Sequence, residues 1–304
     1  MKRTCFPGEI HHIYQKTAGG VVVFYSMSDY LVFYTIYCTM AERMEIDVLA
    51  LCPMPDHLHN AIRVRSREQL QEFVQQYTRI FAHEWNKSRK RKGSLFRKTF
   101  GYAAKLGNKA VRTTLNYNYN NPPERKIVQN AEDYRWNFLK YYKCRNPFSE
   151  VLHESHSSAK LRTALQELRT LHKKGEWVRY AVLDRWMNKL SIKEIQQLAD
   201  YIVSTWNVID YNGLISYYGS YESMIRSFHD NTGSEYDIRE DKDNYSDSVY
   251  TDCTKILIRD GMITSVRDIP KLQGVRKLQL YKTLSERTTA KPKQLEKYLH
   301  LSAL

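Results

Sequence analysis

The chain has 304 residues and a formal net charge of +14 at pH 7, a length that allows one large domain or two of ordinary size. Residues 1–150 contain 24 basic and 13 acidic residues, whereas the remainder contains 23 and 20, so the positive charge is concentrated in the first half. A partner made of phosphates would explain this imbalance, and a basic surface that serves only solubility is the alternative.

Cysteine usage and hydropathy exclude several classes of protein. The five cysteines form no C-x-x-C pair and their number is odd, so neither a zinc knuckle nor a disulfide framework is indicated. No run reaches the ~18–20 apolar residues of a membrane span, and the first residues contain no apolar signal core. We therefore expect a soluble, cytoplasmic protein that has no membrane partner. The sequence does not decide between a monomer and a homodimer.

Predicted strands and helices alternate in the first half of the chain. Apolar patterning predicts strands over 10–24 (with a turn at Gly19-Gly20), 46–52 and 57–64. It predicts helices over 28–44, with Ser28 or Asp29 as N-cap, over 67–87 and over 109–120. The last helix is expected to stop near Asn121, because a proline disfavours helix in the residue before it. A sheet covered by helices follows from this order.

The second half is predicted to be mostly helical. Helical patterns cover 158–174, 176–189, 191–206, 219–229, about 250–260 and 271–300, and the acidic stretch 234–248 reads as a loop or linker. The stretch 271–300 has the pattern of a helix-turn-helix whose second helix enters a DNA groove or grips a hairpin, and a plain helical hairpin is the alternative. We accordingly divide the chain into residues 1–148 and a helical part, 149–304.

Two histidines at a spacing of two form the most informative pattern. Residues i and i+2 of a strand point to the same face, so His57 and His59 project together while Leu58 faces away. Two imidazoles on one face can share a divalent metal, although two ordinary polar residues at the start of a strand would look the same. On the predicted helix 109–120, Tyr117 and Asn121 are four residues apart and share a face, whereas Tyr119 lies about 200° round the helix.

Basic residues cluster between the second and third predicted helices. The segment 86–98 contains no acid, and a DNA backbone or a merely solvated charge run would account for it. Its basic residues, and two more on the histidine strand, are our candidates for phosphate contacts: Lys87, Arg89, Lys90, Arg91, Lys92, Arg97, Lys98, Arg63 and Arg65.

Four segments in order carry a family resemblance: GEIHH at 8–12, MPDHLH at 54–59, SLFR at 94–97 and YNYNNP at 117–122, followed by Trp136 with Tyr134. Over residues 7–145 the chain resembles the single-tyrosine HUH transposases and, more closely, the REP-associated tyrosine transposases. The resemblance implies an α+β fold whose N-terminal antiparallel sheet, ferredoxin-like or RRM-like, is covered by helices and followed by the helical part.

The resemblance also implies a chemistry. Tyr117 would attack a DNA phosphate to give a 5′-phosphotyrosine link and a free 3′-hydroxyl. His57, His59 and the amide of Asn121 would hold Mg²⁺ or Mn²⁺ as the cofactor, since an amide oxygen suits a hard cation. The substrate would be single-stranded or hairpin DNA.

The sequence departs from the family pattern without losing a ligand or the nucleophile. Asp56 replaces the common asparagine, and Asn60 stands where an apolar residue is usual. The main alternative is a domesticated DNA-binding protein that keeps the fold and recognises a hairpin but cuts poorly. An RNA-binding or replication-initiator protein of related fold and a metal-dependent hydrolase without covalent chemistry are further alternatives.

Overall fold

A four-stranded antiparallel sheet organises the first part of the chain in the structure, a computed structural model that describes residues 4–230 and 245–301. The strands are β1 (Ile10–Lys16), β2 (Asp47–Met54), β3 (His57–Arg63) and β4 (Gly101–Lys105), in the order β2-β3-β1-β4. Helices α1 (Met27–Arg43) and α2 (Arg67–Ser88) follow β1 and β3, which gives the ferredoxin-like order βαββαβ. The predicted α+β fold is confirmed.

The two faces of the sheet are covered by different helices. Ile13, Leu58 and Ile62 lie in one core with the aromatic side chains of α1 and α2. The opposite face packs against α3 (Gly107–Glu124), whose Leu115 and Tyr119 share a core with residues of β1, β2 and β3. Because strand side chains alternate between faces, residues 57 and 59 of β3 lie on the side of α3.

The connection between β2 and β3 is tight. Met54 pairs with His57, so only Pro55 and Asp56 form the turn of this hairpin. On the other side of β3, β1 pairs so that Tyr14 lies opposite His59 and Lys16 lies opposite His57. The turn therefore places a carboxylate directly before the first histidine.

Helix α3 corrects the prediction that the helix stops near Asn121. It continues through Pro122 and Pro123 to Glu124, and the N–H of Arg125 still donates to the carbonyl of Asn121 over 3.0 Å. The conformational bias before proline is a preference that packing can overcome, and Pro122 is itself buried in this last turn.

Other boundaries differ from the predictions in smaller ways. Helix α1 begins at Met27 with Ser26 as N-cap, and Asp29 serves as the third residue of a capping box. Strand β1 ends at Lys16, and the predicted strand 10–24 does not continue through residues 21–24. Strand β4 was not predicted. The predicted linker 234–248 lies outside the described residues apart from 245–248.

The helices that follow residue 149 contribute to three separate hydrophobic cores. They are α4 (Ala159–Lys173), α5 (Tyr180–Met187), α6 (Ile192–Trp206), α7 (Tyr211–Ser216), α8 (Tyr221–Asp230), α9 (Val249–Arg259), α10 (Gly274–Arg287) and α11 (Pro292–Leu299). Helices α4 to α6 extend the core around α1, whereas α7 and α8 extend the core around α3. Helices α9 to α11 enclose a separate core that includes Val22. No helix of the described ranges is both long and apolar enough to cross a membrane.

A fully buried ion pair joins α1, α2 and α5. Arg89 Nη2 donates to Asp29 Oδ1 over 2.6 Å, both side chains are 0% exposed, and the Tyr180 hydroxyl donates to the same oxygen over 2.6 Å. The guanidinium also stacks over Trp85, 4.0 Å from the ring centre. Arg89 was predicted to contact DNA, but its burial in this pair removes it from any surface that a DNA backbone reaches.

We predict that Arg89→Met lowers the free energy of unfolding by about 3–5 kcal/mol, because it leaves the buried carboxylate of Asp29 without its cation. Urea denaturation followed by tryptophan fluorescence measures the change. Lys92→Met, at an exposed position three residues later, is the control and should stay within about 0.5 kcal/mol of the wild type. Equal stability of the two variants would contradict the structural role of Arg89.

Candidate metal and tyrosine site

The two predicted histidines lie together at the start of β3. The ring centres of His57 and His59 are 4.9 Å apart with the planes at 88°, and the side chains are buried on the face that α3 covers. The spacing of two residues in a strand produces this arrangement, as the sequence predicted.

The turn residue Asp56 fixes the ring of His57. Asp56 Oδ1 accepts a hydrogen bond from His57 Nδ1 over 2.6 Å, and His57 Nε2 is buried without a hydrogen-bond partner. With the proton on Nδ1, the lone pair of Nε2 is available to a metal, which is the usual arrangement of a metal-binding histidine with a carboxylate behind it. Burial raises the pKa of Asp56, but His57 and Lys297 outweigh burial and hold this pKa well below its usual range.

A third imidazole, His12 on β1, belongs to the same cluster. His12 Nε2 lies 3.2 Å from His59 Nδ1, and the two rings stack with centres 5.5 Å apart. Tyr14 stacks on the other side of the cluster, 4.9 Å from His59. Burial, then the nearby His57 and His12, lower the pKa of His59 well below its usual value, so its ring is neutral, as a metal ligand must be. The alternation of His12 and Tyr14 along β1 is the sequence signal for this face, and neither residue was among the predicted site residues.

The nucleophile predicted from the sequence lies against this cluster. The ring of Tyr117 on α3 is edge-on to His59, with centres 5.4 Å apart at 86°, and edge-on to His12 at 5.7 Å and 72°. Tyr119 points elsewhere: its hydroxyl donates to the carbonyl of Leu49 over 2.9 Å, and its ring stacks on Phe228. Burial raises the pKa of Tyr119 well above its usual value. The structure thus brings Tyr117, and not Tyr119, to the histidines.

Asn121 lies one helical turn after Tyr117 and is buried. Its Nδ2 donates to the carbonyl of Tyr117 over 2.9 Å, so the amide nitrogen is occupied within the helix and Oδ1 is the atom left for a cation. Within 4–230 and 245–301, no group of three or more His, Cys, Asp and Glu side chains is placed to hold a metal ion.

A small basic cavity of about 140 Å³ opens beside His57. Its basic lining residues come from four separate parts of the chain: Lys16, Arg97, Arg125, Lys293 and Lys297. Arg97 is the only one of these that the sequence analysis selected. The backbone of Arg97 is fixed at the end of β1, since its N–H donates to the carbonyl of Lys16 and its carbonyl accepts from Gln15 Nε2.

The remaining predicted phosphate contacts are scattered. Arg63 ends β3, about 20 Å along the strand from His57 at ~3.3 Å per residue, and Arg63 and Arg65 pair with Asp47 and Glu45. Neither arginine is therefore brought to the histidines. The four lysines of the segment 86–98 are exposed: Lys87, Lys90, Lys92 and Lys98. Arg91 of the same segment is half-buried, and its Nη1 donates to Asn86 Oδ1 over 3.0 Å.

The stretch of chain that holds the histidines and the tyrosine has known relatives. Residues 22–121 match the family described as IS200-like transposases. The match confirms the transposase family that the motifs predicted.

Among solved structures, the chain is similar to a REP-associated tyrosine transposase bound to a REP hairpin, with a TM-score of 0.37 and 14% sequence identity. The similar region covers 44% of this chain and 78% of the other chain. No curated protein matches the chain.

We predict that Tyr119→Phe lowers the free energy of unfolding by about 0.5–1.5 kcal/mol, because the hydrogen bond to the carbonyl of Leu49 is lost in a buried setting. Thermal and urea denaturation measure this change. Tyr142→Phe, at a tyrosine that is 40% exposed, is the control and should change stability by less than about 0.5 kcal/mol. A Tyr119→Phe protein as stable as the control would contradict a purely structural role for Tyr119.

Proposed function

We propose that the chain is a metal-dependent single-stranded DNA endonuclease and strand transferase in which Tyr117 is the nucleophile. The observation that carries this proposal is the contact of the Tyr117 ring with His59, inside a cluster that also holds His57 and His12. A core that serves only packing seldom buries three imidazoles and a phenol together, because each buried polar atom needs a hydrogen-bond partner.

The donor set supports a divalent metal at the two histidines. We propose that His57 Nε2, His59 and Asn121 Oδ1 hold Mg²⁺ or Mn²⁺, with water and a phosphate oxygen as the other ligands. The buried and unpartnered Nε2 of His57 supports this assignment. When bound, the metal would neutralise charge on the non-bridging phosphate oxygens.

The side chains of the site would perform the remaining steps. The hydroxyl of Tyr117 loses its proton and forms a bond to phosphorus, the bond from phosphorus to the 3′ oxygen breaks, and that oxygen takes up a proton. The product is a 5′-phosphotyrosine link with a free 3′-hydroxyl on the leaving strand. This link preserves the bond energy, so a 3′-hydroxyl can later displace Tyr117 without ATP.

The substrate that we propose is single-stranded DNA, next to a hairpin. The basic cavity beside His57 would take the phosphate that flanks the cleaved bond, and the exposed lysines of the segment 86–98 would hold the backbone further along. We propose that residues 1–148 form the catalytic part and that residues 149–304 form a helical addition, with α10 and α11 as a candidate hairpin-binding element.

The first test is formation of a covalent complex. We predict that a hairpin DNA labelled at its 3′ end, incubated with Mn²⁺, transfers its label to the wild-type protein on a denaturing gel. Tyr117→Phe should give no labelled band, His57→Ala should reduce the band at least about 100-fold, and Tyr119→Phe should retain it. A 5′-labelled substrate should release a shorter, protein-free fragment.

Other outcomes separate the alternatives. Cleavage that survives Tyr117→Phe would indicate a hydrolase without covalent chemistry. DNA binding without a labelled band in the wild type, across several metals and sequences, would indicate a domesticated binding protein.

The second test concerns the basic surface. We predict that replacing Lys87, Lys90, Lys92 and Lys98 together by glutamine lowers the slope of log affinity against log salt for single-stranded DNA by up to about 3, at ~0.7 for each phosphate contact. Arg63→Gln with Arg65→Gln is the matched control and should leave the slope nearly unchanged, because both arginines are paired with acids. Similar slopes for the fourfold variant and the wild type would remove this segment from the DNA interface.

A further inference from the structure

Helix α11 docks beside His57 although it begins more than 230 residues after this histidine in sequence. The N–H of Val22 donates to the carbonyl of Lys297 over 3.0 Å, and the hydroxyl of Tyr25 donates to the carbonyl of Tyr298 over 2.5 Å. His300 Nε2 donates to the carbonyl of Val22 over 2.7 Å. Leu295, Tyr298 and Leu299 are buried in the core that also includes Val22. These contacts fix the position of α11 against the segment that follows β1.

The docked helix directs one lysine at the carboxylate behind His57. Lys297 Nζ lies 2.8 Å from Asp56 Oδ2, and Asp56 Oδ1 lies 2.6 Å from His57 Nδ1. The side chain of Asp56 is 11% exposed and that of Lys297 is 22% exposed, so the pair is largely shielded from water. The two oxygens of one carboxylate are therefore divided between a lysine of α11 and a histidine of β3.

Different partners hold the backbone and the carboxylate of Asp56. The backbone of Asp56 is held, since its carbonyl accepts from the N–H and the hydroxyl of Thr17. The carboxylate can still rotate about its side-chain bonds, and the contact of Lys297 with Oδ2 opposes this rotation together with the contact of His57 with Oδ1. A carboxylate that keeps one orientation also keeps the ring of His57 in one orientation, with Nε2 directed away from Asp56.

We propose that Lys297 is a positioning residue of the candidate site: it holds Asp56, Asp56 holds His57, and α11 thereby completes the metal-binding geometry. The proposal rests on the proposed function, because it concerns the same metal. Lys297 itself does not touch metal or DNA in this role.

The sign of the expected effect separates positioning from simple electrostatics. Removing a positive charge near a bound cation should by itself strengthen binding of that cation. Loss of a group that orients a metal-binding histidine instead weakens metal binding by about 10–100-fold. We therefore predict that Lys297→Met weakens Mn²⁺ binding to the full chain by at least about tenfold.

Titration of Mn²⁺ followed by electron paramagnetic resonance measures this affinity without DNA and without turnover. Lys297→Arg, which keeps a cation within reach of Asp56, should stay within about threefold of the wild type. Lys293→Met removes the same charge from the same helix and the same cavity, and should leave Mn²⁺ binding unchanged or slightly tighter. Circular dichroism checks that each variant is folded, and Lys297→Gln replaces Lys297→Met if the latter is not.

A measurement on the metal-free protein provides a second readout. In the wild type, nitrogen chemical shifts of isotope-labelled histidine should show one fixed tautomer of His57, with the proton on Nδ1. In Lys297→Met the same signals should shift towards a mixture of tautomers, and Lys297→Arg should restore them.

The outcomes distinguish failure of this inference from failure of the proposed function. A wild type whose Mn²⁺ binding is absent or insensitive to His57→Ala would overturn the metal site itself. Mn²⁺ binding that is lost in His57→Ala but unchanged in Lys297→Met, with an unchanged His57 tautomer, would overturn the role of Lys297 alone. Equal weakening by Lys293→Met and Lys297→Met would also overturn it.

Discussion

The antiparallel register of β1 against β3 determines the geometry of the candidate site. It places Tyr14 opposite His59 and His12 opposite Ala61, so that residues of both strands form one aromatic and imidazole cluster under α3. A slip of one residue would turn Leu58 and Asn60 towards α3 and bury the histidines against α1 and α2. The two-residue turn at Pro55-Asp56 sets the register of β3 against β2, and the pairing with β4 holds β1 on its other edge.

Elements with strong local patterns could be predicted from the sequence. Helices α1 and α2 and strands β2 and β3 lie within a few residues of their predicted bounds, because long apolar stripes and short apolar runs are local signals. Strand β4 has the sequence GYAAK, which combines small residues with low strand propensity, and it forms only because it pairs with β1. The continuation of α3 through two prolines likewise depends on packing that no local rule contains.

The residues of the candidate site also differ in whether the sequence alone identifies them. His57 and His59 are recognisable from their spacing within one strand, Tyr117 is recognisable from the motif that resembles the transposase family, and the structure brings the three together. The cavity lysines of α11 could not be found from spacing, because they reach β3 only through the packing of distant segments. The burial of Arg89 has the same origin: its partner Asp29 lies 60 residues earlier in a different helix. A run of basic residues therefore does not reveal which of its members is exposed.

The contact between Val22 and Lys297 also bears on how the protein is made. The two residues are 275 positions apart, and a growing chain folds from its N-terminal end as it leaves the ribosome. During synthesis the sheet, the histidines and Tyr117 emerge long before α11 does. A nascent chain can therefore build the strands of the site while Asp56 still lacks its lysine, and the site reaches its final form only after residues up to 300 have been translated.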